Sequence, residues 1–192
     1  MHIILLHFFI GHLIGDFIFQ TSFVVKWKYS SVWGVLFHVC LVLIATTLVF
    51  IPYLPNEMVV YALLLNAFIH FFIDVIKVWY DNTYKPANPL PTYWMDQGAH
   101  YITFILVSLA FLPGVMAGHE AAWWYEWYTS PMLLWYIVGF LFFSYKMDIL
   151  FLMHRMKDGD FSPYKRGYFQ MMKRVFLFAV TFLCGVLIWY FI

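Results

Sequence analysis

Charged side chains are scarce in this sequence. Asp, Glu, Lys and Arg together make up 11% of its 192 residues, whereas a typical soluble domain carries about 25%. Hydrophobic residues account for 64% and aromatic residues for 23%. Because so few charges cannot cover a surface in contact with water, the composition predicts a protein embedded in lipid. The formal net charge of +1 gives no indication of a nucleic-acid partner, and we expect none.

Cysteine is rare, and the common catalytic motifs are missing. Cys40 and Cys184 both lie in apolar runs, which excludes a disulfide framework and a thiolate metal site. The sequence has no phosphate-binding glycine loop, nucleophile elbow or zincin motif. Its N-terminal apolar stretch lacks a basic lead and contains Asp16 and Gln20. We therefore expect a membrane span there and not a cleaved signal peptide.

Six apolar stretches are long enough to cross a bilayer core as helices, which takes about 20 residues each. They lie near residues 2–25, 31–54, 57–80, 94–117, 130–153 and 169–192. Only helices and closed barrels satisfy the backbone in lipid, and these runs show no alternation, so the sequence predicts an all-α bundle of about six transmembrane helices. Within one structural domain, we expect residues 1–118 to form a four-helix core and residues 119–192 to add a C-terminal helix pair with a basic loop.

Lysine and arginine are distributed unevenly among the predicted loops. Lys26 and Lys28 fall in the first loop, and Lys77 and Lys85 flank the third. Six more lie in or beside the fifth loop: Arg155, Lys157, Lys165, Arg166, Lys173 and Arg174. The positive-inside rule then predicts a multi-pass inner-membrane protein with its odd loops in the cytoplasm and both termini outside. The basic fifth loop either serves topology alone or also binds anionic lipid headgroups.

Polar side chains recur at helical spacing in the first four spans. They are His12, Asp16 and Gln20 in the first span, His38 in the second, Asn66, His70, Asp74 and Lys77 in the third, and Asp96, Gln97 and His100 in the fourth. Residues four apart share one helix face. In the predicted topology Asp16, His38, Asp74, Asp96 and His100 lie roughly 5–20 Å from the cytoplasmic boundary. Since ionisable residues at membrane depth normally face the bundle interior, we expect one cluster that opens towards the cytoplasm.

The first and third spans also resemble each other. The stretch Phe9–Asp16 is similar to Phe68–Asp74, and each is followed by a helix with a histidine near its start, His38 or His100. Two parallel hairpins related by a pseudo-two-fold axis along the membrane normal would explain this, with a site at their interface. Chance similarity between apolar helices is the alternative.

Three carboxylates in one low-dielectric region need a counter-charge. For Asp16, Asp74 and Asp96, a divalent metal, the lysines Lys77 and Lys146, or protonation would each meet this need. Histidine and carboxylate ligands without cysteine fit zinc, iron or manganese. The candidate ligands of one or two ions are His12, Asp16, His38, His70, Asp74 and His100.

The remaining polar groups receive supporting roles. Asp96 is a candidate ligand or general base. The candidate groups around the ligands are Gln20, Asn66, Lys77 and Gln97. A histidine and an aspartate one turn apart can also simply hydrogen-bond or orient each other. Lys146 and Asp148 are expected to form a mutual ion pair near the cytoplasmic end of the fifth span.

The combined pattern resembles a known family. The segments His12-x-x-x-Asp16-Phe17-x-x-Gln20, His38, His70-x-x-x-Asp74-x-x-Lys77 and Asp96-Gln97-x-x-His100 are similar to the bacterial and phage membrane family catalogued as domain of unknown function 3307. The resemblance covers about residues 7–105. It implies a bacterial membrane protein with no established activity, in which the last two spans are a variable extension.

Three functions fit these features. The first is an intramembrane metal-dependent hydrolase of a lipid or lipid-linked substrate. The second is a proton or metal-ion transporter or channel, although the outer halves of spans two and four offer few polar groups beyond Thr46, Thr47 and Ser108. The third is a non-catalytic subunit whose polar cluster only joins helices, at about 0.6 kcal/mol per contact. We favour the hydrolase because the cluster is large for a purely structural role.

Overall fold

The computed structural model describes residues 2–54, 56–118, 121–157 and 167–191. Within these ranges the chain is entirely helical in its regular structure, with no strand, which confirms the predicted all-α bundle. The helices are α1 (His2–Leu13), α2 (Ser22–Ser30), α3 (Val32–Val49), α4 (Glu57–Tyr84), α5 (Leu90–Phe111), α6 (Tyr125–Tyr128), α7 (Pro131–Leu141), α8 (Met147–Lys157) and α9 (Tyr168–Phe191). Two π-helical segments, Ile14–Phe19 and Phe142–Lys146, continue α1 and join α7 to α8.

Four described helices are long and apolar enough to cross a membrane, which identifies a membrane protein. They are Val32–Val49, Glu57–Tyr84, Pro131–Lys157 and Tyr168–Trp189. The pair Ile3–Phe19 and Ser22–Ser30 adds a fifth if it is counted as one bent span. The predicted fourth span corresponds to α5, which has 22 residues but is less apolar because it carries Asp96, Gln97 and His100. The six-span topology therefore stays a prediction.

The first apolar stretch is not one helix over residues 2–25, so this expectation was wrong. The chain bends by 92° between Phe19 and Ser22. Thr21 then caps α2, because its hydroxyl accepts a hydrogen bond from the Val24 amide. Lys26 and Lys28, which were expected in a loop, consequently lie on a second, short helix.

Close backbone contact fixes α2 against α3. A Cβ atom on Gly34 of α3 would overlap the Trp27 carbonyl group and lie 2.6 Å from the Lys28 amide nitrogen. Only glycine allows this approach. The contact turns the buried Lys28 side chain towards the centre of the bundle.

A second close contact joins α1 to α3 through a Gly-x-x-x-Gly pattern. Cβ atoms on Gly11 and Gly15 would lie 2.6 Å and 2.7 Å from the Cα atoms of Thr46 and Val42. Small residues at this spacing allow membrane helices to pack backbone to backbone. This packing brings His12, on the adjacent position of α1, into the bundle interior.

One end of the bundle collects basic side chains. Lys26 lies on α2, and Lys77 near the end of α4 donates to Tyr29 on α2. Lys85, which follows α4, lines a cavity together with Met153 of α8. The ends of α2, α4 and α8 are therefore adjacent, and we call this region the basic end.

Away from the basic end, the bundle is filled with apolar side chains. Phe8, Phe50 and Phe104 are each at most 1% exposed, and the rings of Phe8 and Phe104 stack with their centroids 5.7 Å apart. The Phe104 ring also contacts the His12 ring, with a centroid distance of 5.1 Å. An apolar aromatic core thus begins directly next to the polar residues of the first span.

The expected ion pair between Lys146 and Asp148 is wrong. Asp148 instead pairs with the Arg174 guanidinium of α9, which also donates to the Phe143 carbonyl oxygen. The π-helical turn at Phe142–Lys146 separates the two residues, because Lys146 turns inward while Asp148 faces α9. His119 and the basic loop at 158–166 lie outside the described residues.

Replacing Gly11 with alanine tests the contact between α1 and α3. The new methyl group would meet the Thr46 Cα atom at 2.6 Å, and overpacking of this kind costs about 1–3 kcal/mol. We expect a lower thermal unfolding temperature for Gly11→Ala in detergent. Gly185→Ala on α9 is the matched control, because nothing lies within 4 Å of its Cβ position. Equal stability of the two variants would contradict the close approach.

Candidate metal centre

Four histidines and three aspartates from separate helices meet in one place, as the sequence analysis expected. The four histidines are each at most 1% exposed. We call the group the His/Asp cluster; its members are His12, Asp16, His38, His70, Asp74, Asp96 and His100. It receives side chains from α1, its π-helical continuation, α3, α4 and α5.

The imidazole rings form a compact group. Their centroid distances are 5.6 Å for His12–His70, 5.0 Å for His12–His100, 5.4 Å for His38–His70 and 4.1 Å for His70–His100. His70 contacts each of the other three rings and is therefore the centre of the cluster.

The carboxylates lie among the Nε2 atoms of these rings. Asp16 oxygens lie 3.4 Å from both His12 and His38, and 3.9 Å from His70. Asp74 oxygens lie 3.3 Å from His70, 3.4 Å from His38 and 3.9 Å from His100. Asp96 lies 3.5 Å from His100. All of these distances are longer than an ordinary charge-assisted hydrogen bond of about 2.7–2.9 Å.

A defined set of atoms in the cluster is buried without a hydrogen bond to any described residue. The set includes the Nε2 atom of all four histidines and the Oδ1 atom of all three aspartates, together with the Nδ1 atoms of His12, His38 and His70 and the Oδ2 atom of Asp74. Buried polar atoms are normally satisfied, so these imidazole and carboxylate atoms form a candidate metal site. Three groups have ligand atoms within 4.8 Å of one another: His12, Asp16 and His70; His38, His70 and Asp74; and Asp74, Asp96 and His100.

The comparisons with known proteins bear on the same residues. A family model described as "Protein of unknown function (DUF3307)" matches residues 4–126, which is more than half of the chain. The chain belongs to this family. No curated protein and no solved structure shows significant similarity to it. The whole His/Asp cluster lies within the DUF3307 segment, whereas α7, α8 and α9 follow it.

A lysine within the DUF3307 segment supplies a counter-charge that the sequence analysis missed. The Lys28 Nζ atom lies 2.8 Å from Asp74 Oδ2, and Lys28 is only 5% exposed. The first stretch is apolar on both sides of the bend after Phe19, so hydropathy does not predict the bend. The bend is what places Lys28 beside Asp74. A usable signal is the spacing of Val24 and Lys28, which are four residues apart and form the buried face of α2.

Lys146 reaches the cluster from beyond the DUF3307 segment. Its Nζ atom donates to Gln97 Oε1 at 3.0 Å and contacts the Tyr101 hydroxyl. The Gln97 amide nitrogen in turn donates to Asp16 Oδ2 at 3.4 Å and to Asp96 Oδ2 at 3.3 Å. Lys146 therefore orients Gln97, and Gln97 holds two carboxylates. The expected supporting position of Gln97 agrees with this geometry.

The other supporting candidates lie at different distances from the cluster. Asn66 is buried one turn before His70 and lines the same cavity of about 10 Å³. Gln20 ends the π-helical segment after Asp16. Lys77 does not contact a carboxylate of the cluster within the described chain; it donates instead to Tyr29 and Asp81.

Replacing Lys28 with methionine tests the buried ion pair in this DUF3307 protein. Removal of one partner leaves Asp74 uncompensated, which typically costs about 3–5 kcal/mol. We expect a marked fall in the thermal unfolding temperature in detergent, and partial recovery when Asp74→Asn is added. Lys26→Met, two residues away on the exposed face of α2, is the matched control. If Lys28→Met unfolds at the same temperature as Lys26→Met, the pair does not stabilise the protein.

Proposed function

We propose that the His/Asp cluster binds one or two divalent metal ions, of zinc, iron or manganese, and that the protein hydrolyses a lipid or lipid-linked substrate at the cytoplasmic leaflet of the bacterial inner membrane. One observation carries this proposal. Four imidazole Nε2 atoms and three carboxylate Oδ1 atoms converge, buried, without a hydrogen bond to any described residue. Imidazole and carboxylate donors without thiolates suit these metals.

The residues fit two ions in particular. The groups His12, Asp16, His70 and Asp74, Asp96, His100 share no residue. His38 lies between them, because its Nε2 atom is 3.4 Å from both Asp16 and Asp74. Asp74 has Lys28 on Oδ2, and its Oδ1 atom is left as the ligand. The ion pair and a metal can thus use different oxygens of one carboxylate.

The charges of the site support the same interpretation. Three ionised carboxylates face two ammonium groups, Lys28 and Lys146, which leaves one net negative charge if the imidazoles are neutral. One divalent ion would make the site positive by one unit. A positive site at membrane depth attracts an anionic substrate, such as a phosphate ester.

The chemistry follows from the position of each side chain. A divalent ion lowers the pKa of water towards neutrality and polarises a phosphoryl or acyl oxygen. Asp16 and Asp96 are the more accessible carboxylates, with 9% and 8% of their side chains exposed against 1% for Asp74. Gln97 holds the Oδ2 atom of Asp96. The Oδ1 atom would be a ligand where the group of Asp74, Asp96 and His100 holds an ion, and it would accept a proton from water where only the group of His12, Asp16 and His70 does.

The surroundings of the cluster favour hydrolysis over transport. A path that continues from His12 meets the buried rings of Phe8 and Phe104, which stack on each other. Proton and ion pathways use polar side chains at such positions. The cavity of about 10 Å³ beside His70 and Asn66 has room for about one water molecule. Both features favour entry of a substrate from the basic end. The positive-inside rule assigns that end to the cytoplasm.

Metal analysis of purified protein tests the first half of the proposal. His70 belongs to two of the three candidate ligand groups. We expect His70→Ala to contain at least about tenfold less metal than the wild type, measured by mass spectrometry. His154→Ala, which changes a histidine of α8 outside the cluster, should leave the metal content unchanged. Equal and negligible metal in all three proteins would contradict the proposal and favour a structural role.

Hydrolysis of chromogenic esters tests the second half. With p-nitrophenyl phosphate and p-nitrophenyl acetate as probes, we expect metal-loaded protein to hydrolyse one of them. In protein that holds one ion, in the group His12, Asp16 and His70, loss of the general base in Asp96→Asn should lower kcat by about 10²-fold or more, with that ion retained. Absence of turnover, together with ion flux in proteoliposomes that Asp74→Asn abolishes, would show a transporter instead.

A further inference from the structure

A cavity at the basic end has no role in the cluster itself. Its volume is about 410 Å³, and its walls come from α2, the end of α4, the connection to α5, the start of α5 and the end of α8. The lining residues that matter here are Tyr29, Lys77, Asp81, Lys85, Tyr93 and Met153. We propose that this cavity binds the phosphate of a lipid headgroup. The inference rests on the proposed function and names its substrate class as a phospholipid.

The position of the cavity relative to the cluster supports this assignment. Lys77 follows Asp74 by three residues on α4, and Tyr93 precedes Asp96 by three residues on α5. At a rise of 1.5 Å per residue, the cavity lies roughly 4–5 Å further along both helices. A headgroup in the cavity therefore places its ester bonds beside the cluster.

The charges of the cavity suit an anion. Lys77 and Lys85 outnumber Asp81, so the lining carries one net positive charge. Lys77 is held in place because its ammonium donates to Tyr29 at 2.8 Å and to Asp81 at 3.1 Å. Lys85 is exposed at the end of α4, with a positive φ of 44°. Only a few per cent of residues other than glycine adopt such a backbone, and here it accompanies an ammonium group at the cavity mouth.

Two unpaired polar atoms indicate the rest of the ligand. The Tyr93 hydroxyl is buried and has no hydrogen-bond partner among the described residues, although Tyr93 lines the cavity. A phosphate oxygen would satisfy it. The Oδ1 atom of Asp81 is likewise buried without a described partner, and it requires a donor such as a ligand hydroxyl or ammonium.

The chemistry of the whole cavity favours a lipid over free phosphate. Met153, Met156 and Pro89 add apolar walls, which free phosphate does not need. A phospholipid headgroup such as phosphoglycerol combines a phosphate anion, a hydroxyl donor and an apolar continuation. All three parts have a counterpart in the lining.

Binding of short-chain lipids to the full-length protein in detergent tests the inference. The probes are dioctanoyl phosphatidylglycerol, dioctanoylglycerol without phosphate, and inorganic phosphate, each titrated by calorimetry. We expect the phosphatidylglycerol to bind most tightly. Tyr93→Phe and Lys85→Gln should each raise the Kd of phosphatidylglycerol by about fivefold or more, as expected for a lost hydrogen bond to a charged group.

The variants separate binding from folding. The Tyr93 hydroxyl has no described partner to lose and Lys85 is exposed, so both variants should unfold at the wild-type temperature. The matched controls, Tyr61→Phe on the exposed face of α4 and Lys26→Gln on α2, should bind as the wild type does. Equal binding of phosphatidylglycerol and dioctanoylglycerol, or tighter binding of inorganic phosphate, would overturn the inference.

Metal content distinguishes this inference from the proposed function. Tyr93→Phe and Lys85→Gln should retain the wild-type metal content, and His70→Ala should retain headgroup binding. If both variants contain the wild-type amount of metal and bind the lipid as tightly as the wild type does, the headgroup site is overturned and the metal proposal is not. Lipid binding that depends on both residues in a protein without metal would support the headgroup site while the metal proposal fails.

Discussion

The burial of three carboxylates within a membrane bundle is the constraint on which the rest of the structure depends. Such groups remain there only with counter-charges or metal. Lys28 supplies one counter-charge directly to Asp74, and Lys146 supplies another through Gln97. The close approach of α2 to Gly34 of α3 brings Lys28 into the bundle, where it can act as a counter-charge. The packing of the helices thus places a positive charge beside the buried carboxylates of the cluster.

The sequence predicted the cluster because its signals are local. A spacing of four residues identifies a shared helix face, and topology gives a common depth, so the convergence of His12, His38, His70 and His100 followed. The bend after Phe19 was not predictable from hydropathy, since the stretch stays apolar across it. The position of Lys28 depends on that bend, and that of Lys146 depends on a π-helical turn. Lys28 was not among the counter-charges expected from the sequence, whereas Lys146 was one of the alternatives. The contact of Lys146 with Gln97 is a long-range consequence of the turn.

Some of the distances within the cluster agree with the predicted pair of repeated hairpins. A two-fold relation exchanges His12 with His70, His38 with His100, and Asp16 with Asp74. Under this relation the His12–His100 contact is equivalent to the His70–His38 contact, and the two centroid distances are 5.0 Å and 5.4 Å. The relation likewise pairs 3.4 Å for His12–Asp16 with 3.3 Å for His70–Asp74. A third pair is unequal, because Asp16 lies 3.4 Å from His38 whereas Asp74 lies 3.9 Å from His100. The internal repeat therefore stays a prediction, with chance similarity as its alternative.

One of the equivalent positions at which the two halves differ lies beside the cluster and bears on its packing. Gly34 lies four residues before His38, and Asp96 lies four residues before His100. Glycine in the first half admits the backbone of α2, which closes that side and carries Lys28 to Asp74. The second half instead presents a carboxylate, and the cavity of about 410 Å³ lies one turn beyond it. Asp74 and Asp96 each lie three residues from a residue that lines this cavity. Asp96 is the more exposed of the two, with 8% of its side chain exposed against 1%, which suits the general base that we propose.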